Sequence, residues 1–131
     1  MERPDHLGLR HVALNVGDVA RMKAFYVEVM GFSVEWEPDP DNVYLTSGRD
    51  NLALHRAAGM PPTGVGALDH LGVVVAGPGD VDAWASFVES RGIALDMRPK
   101  THRDGARSCY FRDPEDNRVQ VIYHPPISGA L

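Results

Sequence analysis

The chain has 131 residues, 44% of them apolar and 24% charged, which suits a single globular domain over residues 1–131 with room for a core. Its net charge of −5, with no basic cluster, argues against nucleic acid and anionic membrane as partners. No apolar run approaches the roughly 20 residues of a membrane span, Met1 to Asp5 does not read as a signal peptide, and a lone cysteine, Cys109, excludes an internal disulfide, so a cytoplasmic protein is expected.

In chain order, residues 8–16 are β-rich and bounded by Gly8 and Gly17, which predicts a strand. Asp18 is a suitable N-cap, and Val19, Met22, Phe25, Tyr26, Val29 and Met30 follow at helical spacing up to a stop at Gly31. Three short strands are expected at 32–37, 43–46 and 52–55, separated by Pro, Asp, Asn and Gly turns. Residues 57–67, rich in glycine and proline, read as a linker. A strand over 68–75 and a helix over 80–91 come next, with Val81, Trp84, Phe87 and Val88 facing inward. Strands near 93–97, 107–112 and 118–123 complete the second half.

The two halves repeat. Leu9-Arg10-His11-Val12-Ala13-Leu14-Asn15-Val16 and Leu68-Asp69-His70-Leu71-Gly72-Val73-Val74-Val75 are both apolar runs opened by a histidine, and the histidines lie 59 positions apart. Gly-Asp-Val follows each run, at Gly17 and at Gly79. Tyr44 to Asn51 matches Tyr110 to Asn117 at an offset of 66. Two copies of such a unit cannot form a repeat array. They predict an α+β fold of two tandem βαβββ modules (about 7–57 and 67–124) forming a curved mixed sheet with helices outside and a concave face inside. Strand alternation puts Val12, Leu14 and Val16 under the helix and His11 on the opposite face, and the same rule turns His70 and Gln120 to the concave side.

These residues, with the closing segment Ser108-Cys109-Tyr110-Phe111-Arg112-Asp113-Pro114-Glu115-Asp116-Asn117-Arg118-Val119-Gln120, resemble the vicinal oxygen chelate superfamily over roughly residues 7–124. That superfamily holds glyoxalase I, extradiol dioxygenases, fosfomycin-resistance transferases, methylmalonyl-CoA epimerases and bleomycin-resistance proteins. The resemblance implies metal ligands at His11, His70 and Gln120. It also implies a divalent ion (Fe, Mn, Ni or Zn), a small-molecule substrate or ligand, and a homodimer. Most metal-dependent members carry glutamate where this chain has Gln120. An amide oxygen coordinates but supplies no charge, so affinity should fall.

By the offset of 66, Leu54 stands opposite Gln120, and a slip of one residue would bring His55 there as a fourth ligand or leave it a strand-end histidine. The extradiol pattern further implies catalytic roles for Tyr110, ten residues before Gln120, and for His102, eight residues before Tyr110. The alternatives are a solvated loop histidine and a packed strand aromatic. Lys100, Cys109 and Asp116 depart from the extradiol signature. His6 and His124 sit at the ends of the fold and need no function, and Trp36 and Trp84 are expected to pack. The functional expectation is a metal-dependent enzyme, either a ring-cleaving dioxygenase or a glyoxalase-like lyase. The alternative is a metal-free drug- or metabolite-sequestering protein of the bleomycin-resistance type.

Overall fold

The computed structural model describes residues 1–3, 5, 7, 9–57, 59 and 68–129. Most of the linker expected over 57–67, together with His6 and Gly8, lies outside the described residues. The chain divides into two compact units, residues 1–61 and 62–131. Each holds a four-stranded mixed sheet with helical cover, so the fold is α+β and the βαβββ order occurs twice.

The first unit runs β1 (His11–Val16), α1 (Val19–Ala24), β2 (Ser33–Asp39), β3 (Asn42–Thr46) and β4 (Asn51–Arg56), in the sheet order β1-β4-β3-β2. Strand β1 lies parallel to β4, and β4, β3 and β2 are antiparallel. Asp18 caps α1 by accepting from the Arg21 N–H at 3.0 Å. The helix then widens into a π-helical turn over Phe25–Val29. Sequence spacing alone predicts one regular helix there. The wider turn buries Tyr26 completely and Met30 nearly so while leaving Val29 half-buried. Gly31, at φ 77°, ends the helix in the left-handed region that glycine enters without strain. Leu14 and Val16 of β1, Val43 and Leu45 of β3, and Leu52 and Leu54 of β4 form the core against Val19, Met22, Phe25 and Tyr26. Burying six aliphatic side chains of this size contributes on the order of 1.5–3 kcal/mol each.

The second unit runs β5 (Leu71–Val74), α2 (Pro78–Ser90), β6 (Leu95–Thr101), β7 (Arg107–Arg112), β8 (Arg118–Tyr123) and a short α3 (Pro125–Ser128). Its sheet order, β5-β8-β7-β6, reproduces the first. Strand β5 is shorter than the 68–75 expected, and His70 stands one residue ahead of it. Helix α2 starts earlier than expected because Pro78 favours a first turn and Asp80 accepts from the Gly77 N–H at 2.9 Å. Val81, Ala85 and Val88 pack on the sheet. Phe87 does not: it is 40% exposed, in edge contact with Trp84, under the Arg91 guanidinium. Trp36 on β2 is also surface-facing, 60% exposed and stacked on Tyr44, because β2 is the edge strand and its residues are all exposed.

The β7–β8 turn is built on the buried carboxylate of Asp113. It accepts from the Glu115 and Asn117 N–H groups at 2.9 and 3.0 Å and from the Asn117 side chain at 2.9 Å. Asp116, at φ 62°, occupies the left-handed position of the turn. Aspartate tolerates that region better than most residues.

Candidate metal and substrate site

Register decides which side chains share the open face of each sheet. In the second unit Gly72 pairs with Gln120 and Tyr110 pairs with Gln120, so Gln120 stands in the middle of the face, between β5 and β7. It is only 8% exposed. Its Nε2 donates to Tyr110 Oη at 3.0 Å. That bond turns Oε1 toward the bare Cα of Gly72, where an added Cβ would lie 3.4 Å from Oε1. Among the described residues Oε1 accepts no hydrogen bond, so its lone pairs are free.

Tyr110 is fixed from two further sides. The His70 ring meets it edge to face at 5.4 Å between centroids, and the Arg118 guanidinium lies 5.0 Å over its ring. His70 Nδ1 is 2.6 Å from Asp69 Oδ1. A carboxylate oxygen can only accept, so Nδ1 carries the proton, and in the neutral ring Nε2 keeps its lone pair. The hydrogen bond from His70 holds the Asp69 carboxyl below its ordinary value, against an opposing effect of desolvation. The second unit thus brings His70, Tyr110 and Gln120 together, with Nε2 and Oε1 as unused donors.

His102 reaches the same face further along. Its Nε2 lies 2.9 Å from Ser108 Oγ, and Ser108 is one same-face position before Tyr110 on β7. His102 therefore bonds to Ser108 rather than to Tyr110. Cys109 faces the helix side, is fully buried, and has its thiol pushed up by that burial, so it is no nucleophile.

In the first unit His11 is exposed on the non-helical face of β1. Its Nδ1 is 2.8 Å from Asn51 Oδ1, and Asn51 Nδ2 donates to Glu35 Oε2 at 3.1 Å. The carboxylate fixes the amide orientation, and the amide fixes the ring: Nδ1 donates and Nε2 is left with its lone pair. His55 repeats the device, with Nδ1 at 2.6 Å from Asn42 Oδ1 and Asn42 Nδ2 on Asp39 at 3.0 Å.

The offset of 66 is corrected here. Ala13 pairs with Ala53 as Gly72 pairs with Gln120, so Ala53, not Leu54, holds the place of Gln120 in the first unit. The second hairpin has one residue more between its tyrosine and that place, and one residue reverses the face of a strand. Leu54 is buried in the core, and His55 lies two residues beyond Ala53 on the same face as it.

One residue of this face escapes the sequence reading. Alternation along β8 from Gln120 through Ile122 leads to His124, which sequence position alone marks as a mere terminus. The ring is half-buried, and its Nδ1 is sealed from solvent with no hydrogen-bond partner among the described residues.

In the second unit an imidazole Nε2 and an amide oxygen are donor types that suit a borderline divalent ion. The set lacks an anion. Among the described residues no group of three or more His, Cys, Asp and Glu gathers into a metal cage.

Two βαβββ modules, each with a histidine at the head of its first strand and a tyrosine on its third, define a vicinal oxygen chelate protein. The chain belongs to the Glyoxalase/Bleomycin resistance protein/Dioxygenase superfamily, whose family model matches residues 8–121. Among solved structures it is similar to lactoylglutathione lyase from Agrobacterium tumefaciens, at 23% identity and TM-score 0.79, covering 95% of this chain and 98% of that one. A glyoxalase-related enzyme from Fulvimarina pelagi matches at 16% identity and TM-score 0.73, covering 92% and 90%. A glyoxalase/bleomycin resistance protein/dioxygenase from Alicyclobacillus acidocaldarius matches at 20% and 0.71, covering 90% and 92%. At these identities the likeness is one of fold.

Proposed function

We propose that the chain is a metal-dependent small-molecule enzyme of the glyoxalase or extradiol dioxygenase type, working as a homodimer, with His70, Gln120 and His11 as ligands to a divalent ion. One observation carries the reading: among the described residues His70 Nε2 and Gln120 Oε1 are both left without partners, and both side chains contact Tyr110. His11 enters from the family pattern and from its matching tautomer. When bound, the ion would supply Lewis-acid polarisation of two neighbouring substrate oxygens.

The chain's own residues do the rest. Asp69 holds the His70 ring in one tautomer and one orientation. Gln120 occupies a lone pair of Tyr110 Oη, which leaves the phenolic hydrogen to donate to a substrate oxygen. Arg118 over the Tyr110 ring favours negative charge arriving at that end of the face. His102, steadied by Ser108, stands beyond Tyr110 as the next group able to take or give a proton.

The test is elemental analysis of protein purified without chelator or affinity-metal resin, followed by turnover screens. Catechols under oxygen and hemithioacetals under nitrogen would be tried with Fe(II), Mn(II), Ni(II) and Zn(II) restored. Bound metal with turnover in one screen supports the reading. No metal and no turnover favours the second reading, a metal-free binding protein of the bleomycin-resistance type. That reading draws its support from the neutral amide at Gln120.

A further inference from the structure

The second unit contains a cavity of about 610 Å³ at the turn end of the β6–β7 hairpin, lined by Lys100, His102, Arg103, Asp104, Ile122 and His124 among others. Three features of its wall go unused in the chemistry above. The charged ends of Lys100 and Arg103 make no ion pair with any described residue, although most of the cations on the neighbouring strands are paired. Asp104 is the lone acid of the lining, and its Oδ1 already accepts from the Ala106 N–H at 2.9 Å. The His124 Nδ1 is cut off from water and has no hydrogen-bond partner among the described residues. An unpaired, desolvated ring nitrogen is costly unless the ring can turn to meet a polar partner.

We propose that this cavity seats the carboxylate end of the small molecule the protein binds, between Lys100 and Arg103, with His124 as its hydrogen-bond partner. Two cations against one carboxylate leave an excess of a single positive charge, which matches a monoanion and falls short of a phosphate. The proposal includes a turn of the His124 ring about χ2, which carries Nδ1 from its sealed position to the carboxylate. We place the rest of the molecule along the open face of the sheet, toward Gln120. Ile122 pairs with Ser108, and the next same-face pair on the ladder is Gln120 with Tyr110. Two residues along a strand advance roughly 7 Å. The ligand therefore carries its carboxylate on an arm about that long, ending at Gln120 Oε1. This deepens the proposed function and rests on it for the identity of the reacting end.

The test uses metal-free, chelator-treated protein and binding alone, so it is independent of whether any metal or turnover is found. The probes are 4-phenylbutyrate, its neutral amide, and phenyl phosphate, followed by calorimetry and by amide shifts in ¹⁵N-labelled protein. The acid should bind at least about tenfold more tightly than the amide, weaken with added salt, and shift resonances of residues 100–106 and the Gln120 side-chain amide. Lys100→Gln with Arg103→Gln, both at exposed positions, should abolish the difference between acid and amide. His124→Phe, which keeps a ring but no nitrogen, should weaken the acid several-fold and leave the amide unchanged. Equal binding of acid and amide, tighter binding of phenyl phosphate, or no shifts at residues 100–106 at millimolar probe would each overturn the assignment. Shifts at 100–106 without any at Gln120 would overturn the roughly 7 Å arm.

Discussion

Replacing Gln120 by glutamate asks most directly what this face is for. The two side chains are nearly equal in size, so the core under β8 is undisturbed. The hydrogen bond with Tyr110 survives with its polarity reversed: where Nε2 donated to Oη at 3.0 Å, Oη now donates to a carboxylate. The cost falls on the metal-free protein. Gln120 is 8% exposed, and a carboxylate there loses most of its hydration. With one donor retained, a loss of about 1 kcal/mol is reasonable, or roughly 3–5 °C in Tm for a chain of this size. Burial raises the new carboxyl above the ordinary glutamate value, so the folded state holds the proton more tightly than the unfolded one. The penalty is therefore small at low pH and grows as pH rises through that raised value. Metal reverses the sign, since an anionic oxygen replaces a neutral one. Affinity should rise about 10- to 100-fold, or about 1.4–2.8 kcal/mol. Calorimetry with Mn(II), Ni(II), Zn(II) and anaerobic Fe(II) on both forms, with thermal melts with and without each ion, reads both halves. Equal affinities for all four ions would mean that Gln120 does not face a metal.

Four further outcomes are expected. His70→Ala should remove metal binding and turnover together while changing stability by no more than about 1 kcal/mol, since the ring is only half-buried; retained metal in the variant would refute His70 as a ligand. Gly72→Ala should raise stability by about 0.5–1 kcal/mol, because glycine is poor in a strand, yet lower metal affinity, because the new methyl sits 3.4 Å from Gln120 Oε1; chemical denaturation and metal titration should move in opposite directions. Asp116→Gly should stabilise by about 0.5–1 kcal/mol by relieving the left-handed conformation at φ 62°, and an unchanged or lower denaturation midpoint would refute strain there. The hydrogen bond from Arg107 holds the Asp82 carboxyl below its ordinary 3.8, so its contribution is present above that pH and lost as pH falls through the lower folded value; Asp82→Asn should flatten the acid limb of stability below about pH 4, as followed by circular dichroism.

The repeat carried the fold into view from sequence, because a histidine-headed strand, a Gly-Asp-Val turn and a glycine-stopped helix recur in order. What it could not carry were features set by single-residue differences. The hairpin around Asp113 is one residue longer than its counterpart in the first module, so a constant offset put Leu54 where Ala53 belongs. The π-helical turn at Phe25–Val29 obeys tertiary packing of Tyr26 rather than any local signal. Phe87 fits a helical stripe by spacing, yet α2 needs only Val81, Ala85 and Val88 to cover its sheet. The hydrogen-bond partners of the histidines were legible in part. Asp69 is adjacent to His70 in sequence, whereas Asn51 and Asn42 reach His11 and His55 only once the strands pair.

The duplication also explains why the two halves are unequal as chemistry. Each module keeps a histidine at the start of its first strand, with Nδ1 bound to an oxygen and Nε2 left open. At the next same-face position the modules diverge: Ala13 faces Ala53, while Gly72 faces Gln120. The first module offers only two alanine methyl groups at that level. The bare Cα of Gly72 leaves room for the Gln120 amide oxygen in the second. The polar neighbours of Gln120, from Tyr110 and Arg118 to the pair His102 and Ser108, likewise belong to the second module. A duplicated unit has two equivalent places for a donor on its last strand, and this chain has filled one of them, with an amide. In the second module the donor at this level is neutral, and the positive charge beside it comes from Arg118, which lies over the Tyr110 ring.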